Sequence, residues 1–387
     1  MACTFGIEEE YLLVHLDSGR VLAAPSKAVT RCCEAAVAPY FAPEMFRSQI
    51  EIASPVFNNL HQARSFFCEQ RGRLGQALAQ EGLGFYGAAS HPCAQWLRQQ
   101  ARPDPHYRQV FADYQHVARR SLLSGLHVHV GVPVGLDRMQ VINRVLYWLP
   151  LFLALSTSSP LWTGHATGYM SYRRVICAEW PHMNLPEPLA NWAAYERYRA
   201  LLQRTGALAE DGDFWWAIRP SRRYPTIELR ICDACPRLED ALCIAGLFRH
   251  LVEQCLRPGQ DIPALSREIR WVTQENYWRA MRHGLQGLFI GVHDQLPTNA
   301  LGWLAQLQAL HPADTVDAER AFAHARRIVA EGTSAERQLR RLGQARDAGM
   351  SEVQALREVV MQVVEQGQDV GCYTTAAPAF AADSTAL

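Results

Sequence analysis

Four short stretches alternate apolar and polar residues with the two-residue period of a β-strand. They are Phe5-Gly6-Ile7-Glu8-Glu9-Glu10-Tyr11, Gln49-Ile50-Glu51-Ile52-Ala53, Ser124-Gly125-Leu126-His127-Val128-His129-Val130-Gly131-Val132 and Thr226-Ile227-Glu228-Leu229-Arg230-Ile231. In each, one face is apolar, apart from Glu9 in the first, and the other carries carboxylates or imidazoles. Glu8 and Glu10 share a face while Glu9 points away, and so do His127 and His129, whose α-carbons should lie roughly 6.5–7 Å apart. Glu228 and Arg230 also share a face. They pair with each other, or Glu228 holds a metal while Arg230 meets an anion.

Around these stretches the periodicity predicts strands at 3–14, 46–53 and 225–232, the last forming a hairpin with 214–220. Helices are predicted at 60–81, 107–122, 137–155 and 190–205. From 237 onward the pattern is almost wholly helical: 237–256, 265–283, 297–310, 315–331, 334–346 and 350–366. The last of these ends in an Ala/Thr/Ser-rich tail, 371–387, expected to be disordered. No repeat or linker divides the rest, so residues 1–370 read as one α+β domain with a helical C-terminal part.

If Glu8, Glu10, Glu51 and Glu228 converge, they need a counter-charge. Two like charges about 4 Å apart repel by roughly 4 kcal/mol at an effective dielectric near 20. Oxygen donors with a minority of imidazole suit Mg²⁺ or Mn²⁺. The alternative is that each side chain is solvated or hydrogen-bonded separately.

Lys+Arg and Asp+Glu both number 38, which argues against nucleic acid or an anionic membrane as the main partner. Lys27 is the only lysine and follows no glycine run, so a Walker-type phosphate loop is excluded. Phosphate, if handled, meets metal ions and arginines. Gly82-Leu83-Gly84-Phe85-Tyr86-Gly87 fits G-x-G-x-x-G but follows a helix and leads into none, so it is a cap and a strand, not a dinucleotide fingerprint. Ser156 to Trp162 with Ser171-Tyr172-Arg173-Arg174 is a small-residue loop with arginines, either an anion cradle or a surface loop. Cys232-Asp233-Ala234-Cys235 is a lone C-x-x-C with no second pair at zinc spacing, and carries little weight. The 11 cysteines, the early Glu8 to Glu10 and the shortness of the charge-free stretch 145–155 point to a cytoplasmic protein with reduced thiols and no membrane span.

The ordered set Gly6-Ile7-Glu8-Glu9-Glu10, Gly125 to Gly131, Ser156 to Trp162 with Ser171-Tyr172-Arg173, Trp216 to Ser221, Thr226 to Arg230 and Asn276 to Arg282 resembles the ATP-dependent carboxylate–amine ligases related to glutamate–cysteine ligase type 2. The likeness runs from about residue 4 to about 366. It implies a glutamine synthetase-like antiparallel sheet funnel backed by helices. It also implies ATP and Mg²⁺ (or Mn²⁺) as cofactors, small-molecule acid and amine substrates, and an acyl-phosphate route joining glutamate to an amine such as cysteine. Carried onto this chain, it implies metal binding by Glu8, Glu51, His127 and Glu228, with Glu10 a further ligand on that face. His129 is carried over as a nucleotide or metal contact. Arg173, Arg219 and Arg230 are implied for phosphate and substrate carboxylate, with Arg230 also on the nucleotide. A homodimer stays open. A metal-dependent hydrolase or a nucleotide-binding regulator are the competing readings.

Overall fold

The computed structural model describes residues 2–209, 212–257, 267–291 and 295–369. The strands are β1 (Phe5–His15), β2 (Phe41–Pro43), β3 (Gln49–Ala53), β4 (Leu83–Tyr86), β5 (Leu126–Gly131), β6 (Leu161–Trp162), β7 (His165–Ala166), β8 (Ile218–Pro220), β9 (Thr226–Leu229), β10 (Phe289–Ile290) and β11 (Pro297–Thr298). The helices are α1 (Lys27–Val37), α2 (Leu60–Ala79), α3 (Pro105–Arg120), α4 (Arg138–Val145), α5 (Leu149–Ser156), α6 (Tyr172–Cys177), α7 (Trp192–Arg204), α8 (Leu238–Cys255), α9 (Arg267–His283), α10 (Ala300–Leu310), α11 (Val316–Glu331), α12 (Ser334–Asp347) and α13 (Glu352–Gln368). The predicted tail at 371–387 lies outside the described residues.

Seven strands form the main sheet in the order β2-β3-β1-β5-β9-β8, with β4 continuing β5's side of β1. Every pairing is antiparallel, as the resemblance implies. Ile7, Tyr11, Ile50, Ile52, Leu126, Val128, Ile227 and Leu229 all join the main apolar core on one face, beneath α2 and α8. α8 is buried along almost its whole length because α11 covers its far side. The opposite face carries the alternating polar positions.

The stretch predicted as one helix at 137–155 is two, separated by a 3₁₀ turn at Leu146–Trp148. Pro150 starts the second because it has no N–H to donate to the preceding turn. Taken together, Arg138–Ser156 is apolar and long enough to cross a membrane, and 83% of its apolar window is buried inside the fold. α3 begins with Pro105 behind the Asp104 cap and is broken at Gln115, whose φ of 46° is left-handed. Among the described residues nine cysteines are free thiols, as expected; Cys68 is instead disulfide-bonded.

Candidate functional site

Strand register brings the predicted residues together. Across β1, Glu10 stands opposite Glu51 of β3, and Glu8 stands opposite His127 of β5. His129 faces Glu228 of β9, and Glu228 faces Arg219 of β8. Directly opposed side chains on one face have Cβ atoms about 4.5–5.5 Å apart, so the four alternating stretches become one polar row across the sheet.

His127 Nδ1 is 3.1 Å from one Glu8 oxygen and His129 Nε2 is 3.2 Å from the other. His127 Nε2 is 3.5 Å from Glu10, and His129 Nε2 is 3.8 Å from Glu228. Three groups have ligand atoms within 4.8 Å of one another: Glu8, His129 and Glu228; Glu8, Glu51 and His127; Glu10, Glu44 and Glu51. Glu8 belongs to the first two and Glu51 to the last two, so the groups form a chain. Glu44 is a member that sequence reasoning missed. It follows β2 in an irregular turn, where no period marks its direction.

These carboxylates are not electrostatically at rest. Burial raises the Glu51 carboxyl well above the usual range, and repulsion by Glu8, Glu44 and Glu10 adds to it. Burial likewise raises Glu10 and Glu44. For Glu8, burial pushes upward, but the adjacent imidazoles of His127 and His129 outweigh it and hold the group well below the carboxylate range. Glu228 is depressed too, because Arg219, Arg230 and His129 overcome its burial. His129 Nδ1 meets Thr226 Oγ1 at 3.0 Å, whereas its buried Nε2 makes no aligned hydrogen bond and points among carboxylates. An orphaned imidazole nitrogen beside mutually repelling oxygens is a donor set that fits a hard divalent cation.

The arginines divide. Glu228 accepts from Arg219 Nε at 2.6 Å and from Arg230 Nη1, so the pairing reading of Glu228 and Arg230 is what the structure shows. Arg219 also donates to Asp213 and to the Phe214 carbonyl. Arg173 is buried and donates to the carbonyls of Arg230, Ile231 and Cys232. Its guanidinium lies over Gly125, where a Cβ would come within 2.5 Å of Nη2 and 2.9 Å of His127 Nε2. That close approach explains the glycine at the head of the histidine strand. Arg279 and Arg282 are engaged elsewhere, with Glu275 and the Gly168 carbonyl.

The small-residue stretch 156–162 is buried, so it is not a surface loop, and its serines hold an anion. The Ser158 N–H and the Ser159 and Ser171 hydroxyls all donate to Asp233, at 2.7–3.0 Å. The anion held is the chain's own. The C-x-x-C therefore matters for its middle. Cys232 and Cys235 belong to none of the metal-capable groups among the described residues, and burial pushes the Cys232 thiol up to about 12.

A cleft opens beside the row, touching Glu10, Glu44, His127, Arg173, Arg174 and Arg230. Its remaining wall is largely apolar and includes Trp180 and Trp215.

Comparison with known proteins gives the family and the fold. A sequence model of glutamate–cysteine ligase family 2 matches residues 4–360. A Pseudomonas entomophila protein named "Putative glutamate--cysteine ligase 2" is 68% identical over 363 residues, 94% of this chain and 95% of its own. A Pseudomonas putida protein of the same name is 67% identical over 92% of this chain and 97% of its own. A solved glutamate–cysteine ligase from Francisella tularensis, in complex with AMP, superimposes with a TM-score of 0.66 over 95% of this chain and 89% of its own, at 14% identity. The fold is thus that of the glutamine synthetase-like ligases. With a family match that begins before the first glutamate of the row and ends well beyond the last, the chain belongs to glutamate–cysteine ligase family 2.

Proposed function

We propose that the protein is an ATP-dependent carboxylate–amine ligase: ATP + acid + amine → ADP + phosphate + amide. The observation that carries the reading is the chain of three metal-capable groups, two of acid and imidazole and one of carboxylates alone, linked through Glu8 and Glu51 and bordered by Arg173, Arg219 and Arg230. Glutamate as the acid and cysteine as the amine come from the relatives' name.

Glu8, Glu10, Glu44, Glu51, His127, His129 and Glu228 would hold Mg²⁺ or Mn²⁺. Bound there, the cations neutralise charge on the transferring phosphoryl group. The protein's own groups position the reactants. The acid's carboxylate attacks the γ-phosphorus, ADP leaves, and the amine then displaces phosphate from the acyl phosphate. Arg230 is anchored on Glu228 and borders the cleft, so it can meet a phosphate or carboxylate without swinging. Arg173, fixed by three carbonyls, does the same from the other wall. Arg219 keeps Glu228 ionised, which any role of that carboxylate as a ligand requires.

The test is ADP release from ATP and Mg²⁺ with acids and amines singly and in pairs, with mass spectrometry of the products. ADP should form only when both partners are present, with a product mass equal to their sum less water. ADP release that ignores the amine would refute a ligase, as would amide or ester cleavage without ATP.

A further inference from the structure

Among the described residues five arginines are buried: Arg71, Arg173, Arg174, Arg249 and Arg337. Four of them stand against a carboxylate. Arg71 pairs with Glu9 at 2.7 Å, Arg249 with Glu253 at 3.0 Å and Arg337 with Asp240 at 2.9 Å, while Arg173 lies 3.8 Å from Asp233. Arg174 is 1% exposed and forms no ion pair among the described residues. Its Nε donates to the Tyr277 hydroxyl at 2.8 Å and its Nη2 to the Met183 carbonyl at 2.6 Å. Its Nη1 makes no hydrogen bond among the described residues. A guanidinium stays charged in a protein, and a buried charge without a counter-charge is costly. The folded chain supplies this cation with a phenol and a carbonyl, but with no anion.

Arg174 lines the cleft. The cleft's other arginines and acids already have their charges met or assigned. Arg230 is held by Glu228 and Arg173 faces Asp233, while Glu10 and Glu44 belong to a metal-capable group. The two neighbouring arginines of α6 also reach in different directions. Arg173 lies over Gly125 beside His127, at the row. Arg174 reaches Tyr277 of α9 and Met183, and Met183 packs with Trp180 and Trp215 of the apolar wall. Phosphoryl transfer belongs at the row, where cations gather. An oxyanion held by Arg174 therefore sits at the end of a substrate that does not react.

We propose that Arg174 binds the non-reacting carboxylate of an amino-acid substrate, and so selects for substrates that carry one. The inference rests on the ligase reading and adds a specificity residue to it. Glutamate has one carboxylate more than an amide bond consumes, and the carboxylate of cysteine takes no part in the bond. Either can be the anion that Arg174 lacks. A site built to pair a buried polar group rejects the analogue without its partner by up to about 10⁴-fold, so a tenfold preference is a modest demand.

The test compares each substrate with its decarboxylated counterpart, using Mg²⁺ and ATP: glutamate against 4-aminobutanoate as the acid, and cysteine against cysteamine as the amine. In at least one pair the native protein should favour the member with the extra carboxylate about tenfold or more in kcat/KM. Arg174→Met should erase that preference through KM for that substrate, leave the decarboxylated member unaffected and leave KM for ATP unchanged. The pair that responds names the substrate whose carboxylate is held. Arg174→Lys, which keeps the charge and loses the planar fork, should retain part of the preference, and it carries the test if Arg174→Met does not fold. Three results overturn the proposal. One is a native protein indifferent to the carboxylate in both pairs. Another is a variant that loses rate equally on both members of each pair, which would make Arg174 a structural tie. The third is a rise in KM for ATP alone, which would give the guanidinium to the triphosphate. If nothing is ligated, calorimetric binding of the same four compounds separates the two readings. Tighter binding of a carboxylate-bearing member, lost in the variant, would keep the site and refute the ligase; equal or absent binding would refute the site.

Discussion

His91 and His129 are both buried, and their surroundings push them in opposite directions. Burial pulls the His129 imidazole down, but Glu8 and Glu228 reverse this and raise it. Burial lowers His91 from 6.5 to about 4, with no acid to oppose it. Burial holds His91 neutral even though its Nε2 donates to the Gly19 carbonyl at 2.8 Å, a contact that favours the charged form; Nδ1 accepts from the Cys93 N–H at 3.3 Å. The unfolded chain therefore binds this proton first. Stability is intact above about pH 6.5 and falls as the pH drops toward 4, by about 3 kcal/mol at this residue alone. Denaturant melts at stepped pH should show the loss, and His91→Gln should flatten it. A variant curve parallel to the native one would clear His91. Sequence separates the two histidines well: His129 sits in an alternating strand, while His91 sits in Ser90-His91-Pro92, where no period gives it a direction. What sequence could not give was Glu44. It lies between elements, and only the folded turn aims it at Glu10 and Glu51.

At the scale of elements, β1 carries acids on both faces and treats them differently. Glu8 and Glu10 look toward the site, as the alternation predicts. Glu9 turns into the core, where Arg71 of α2 clamps it with Nη2 at 2.7 Å and Nε at 2.9 Å. The same guanidinium donates to the Tyr11 oxygen and to the carbonyls of Cys235 and Pro236, so one side chain ties β1 to α2 and to the entry of α8. Removing one partner of a buried pair leaves an uncompensated charge, so Arg71→Met should destabilise by about 3–5 kcal/mol. KM for ATP should stay unchanged, since Glu9 faces away from the row. A loss under about 1 kcal/mol in urea unfolding would show the pair to be dispensable. Helices were legible because a 3.6-residue period persists over many residues. The Asp233 hub was not, because its partners Ser158, Ser159 and Ser171 come from distant loops with no period.

For the whole molecule, a net charge of zero hides a concentration of acid at one place. A cation that binds only the folded state must therefore stabilise it. At 100 times its dissociation constant it adds about 2.7 kcal/mol, a shift of several degrees in the unfolding midpoint. Mg²⁺ or Mn²⁺ should produce that shift and a chelator should remove it. Glu51→Gln should melt no lower than native without metal, because it relieves repulsion from Glu8, Glu44 and Glu10. It should gain less from the cation and lose about 10²–10³ in turnover. A native midpoint indifferent to both cations would dissolve the metal row. Alternation showed which residues share a face but not that β3, β1, β5 and β9 are neighbours; that order is set by strand pairing in the folded chain. The aromatic wall escaped for a similar reason, since Trp180 and Trp215 lie in irregular segments that meet only in space. One feature of β1 bears on how such a site can change over generations. Because Glu9 is locked to Arg71 while its neighbours serve the opposite face, losing or gaining one residue in this strand would turn the row inside out and bury its acids in the core. The site is free to drift in chemistry, one side chain at a time, but not in spacing. Lineages descended from it should differ here by substitution and almost never by length.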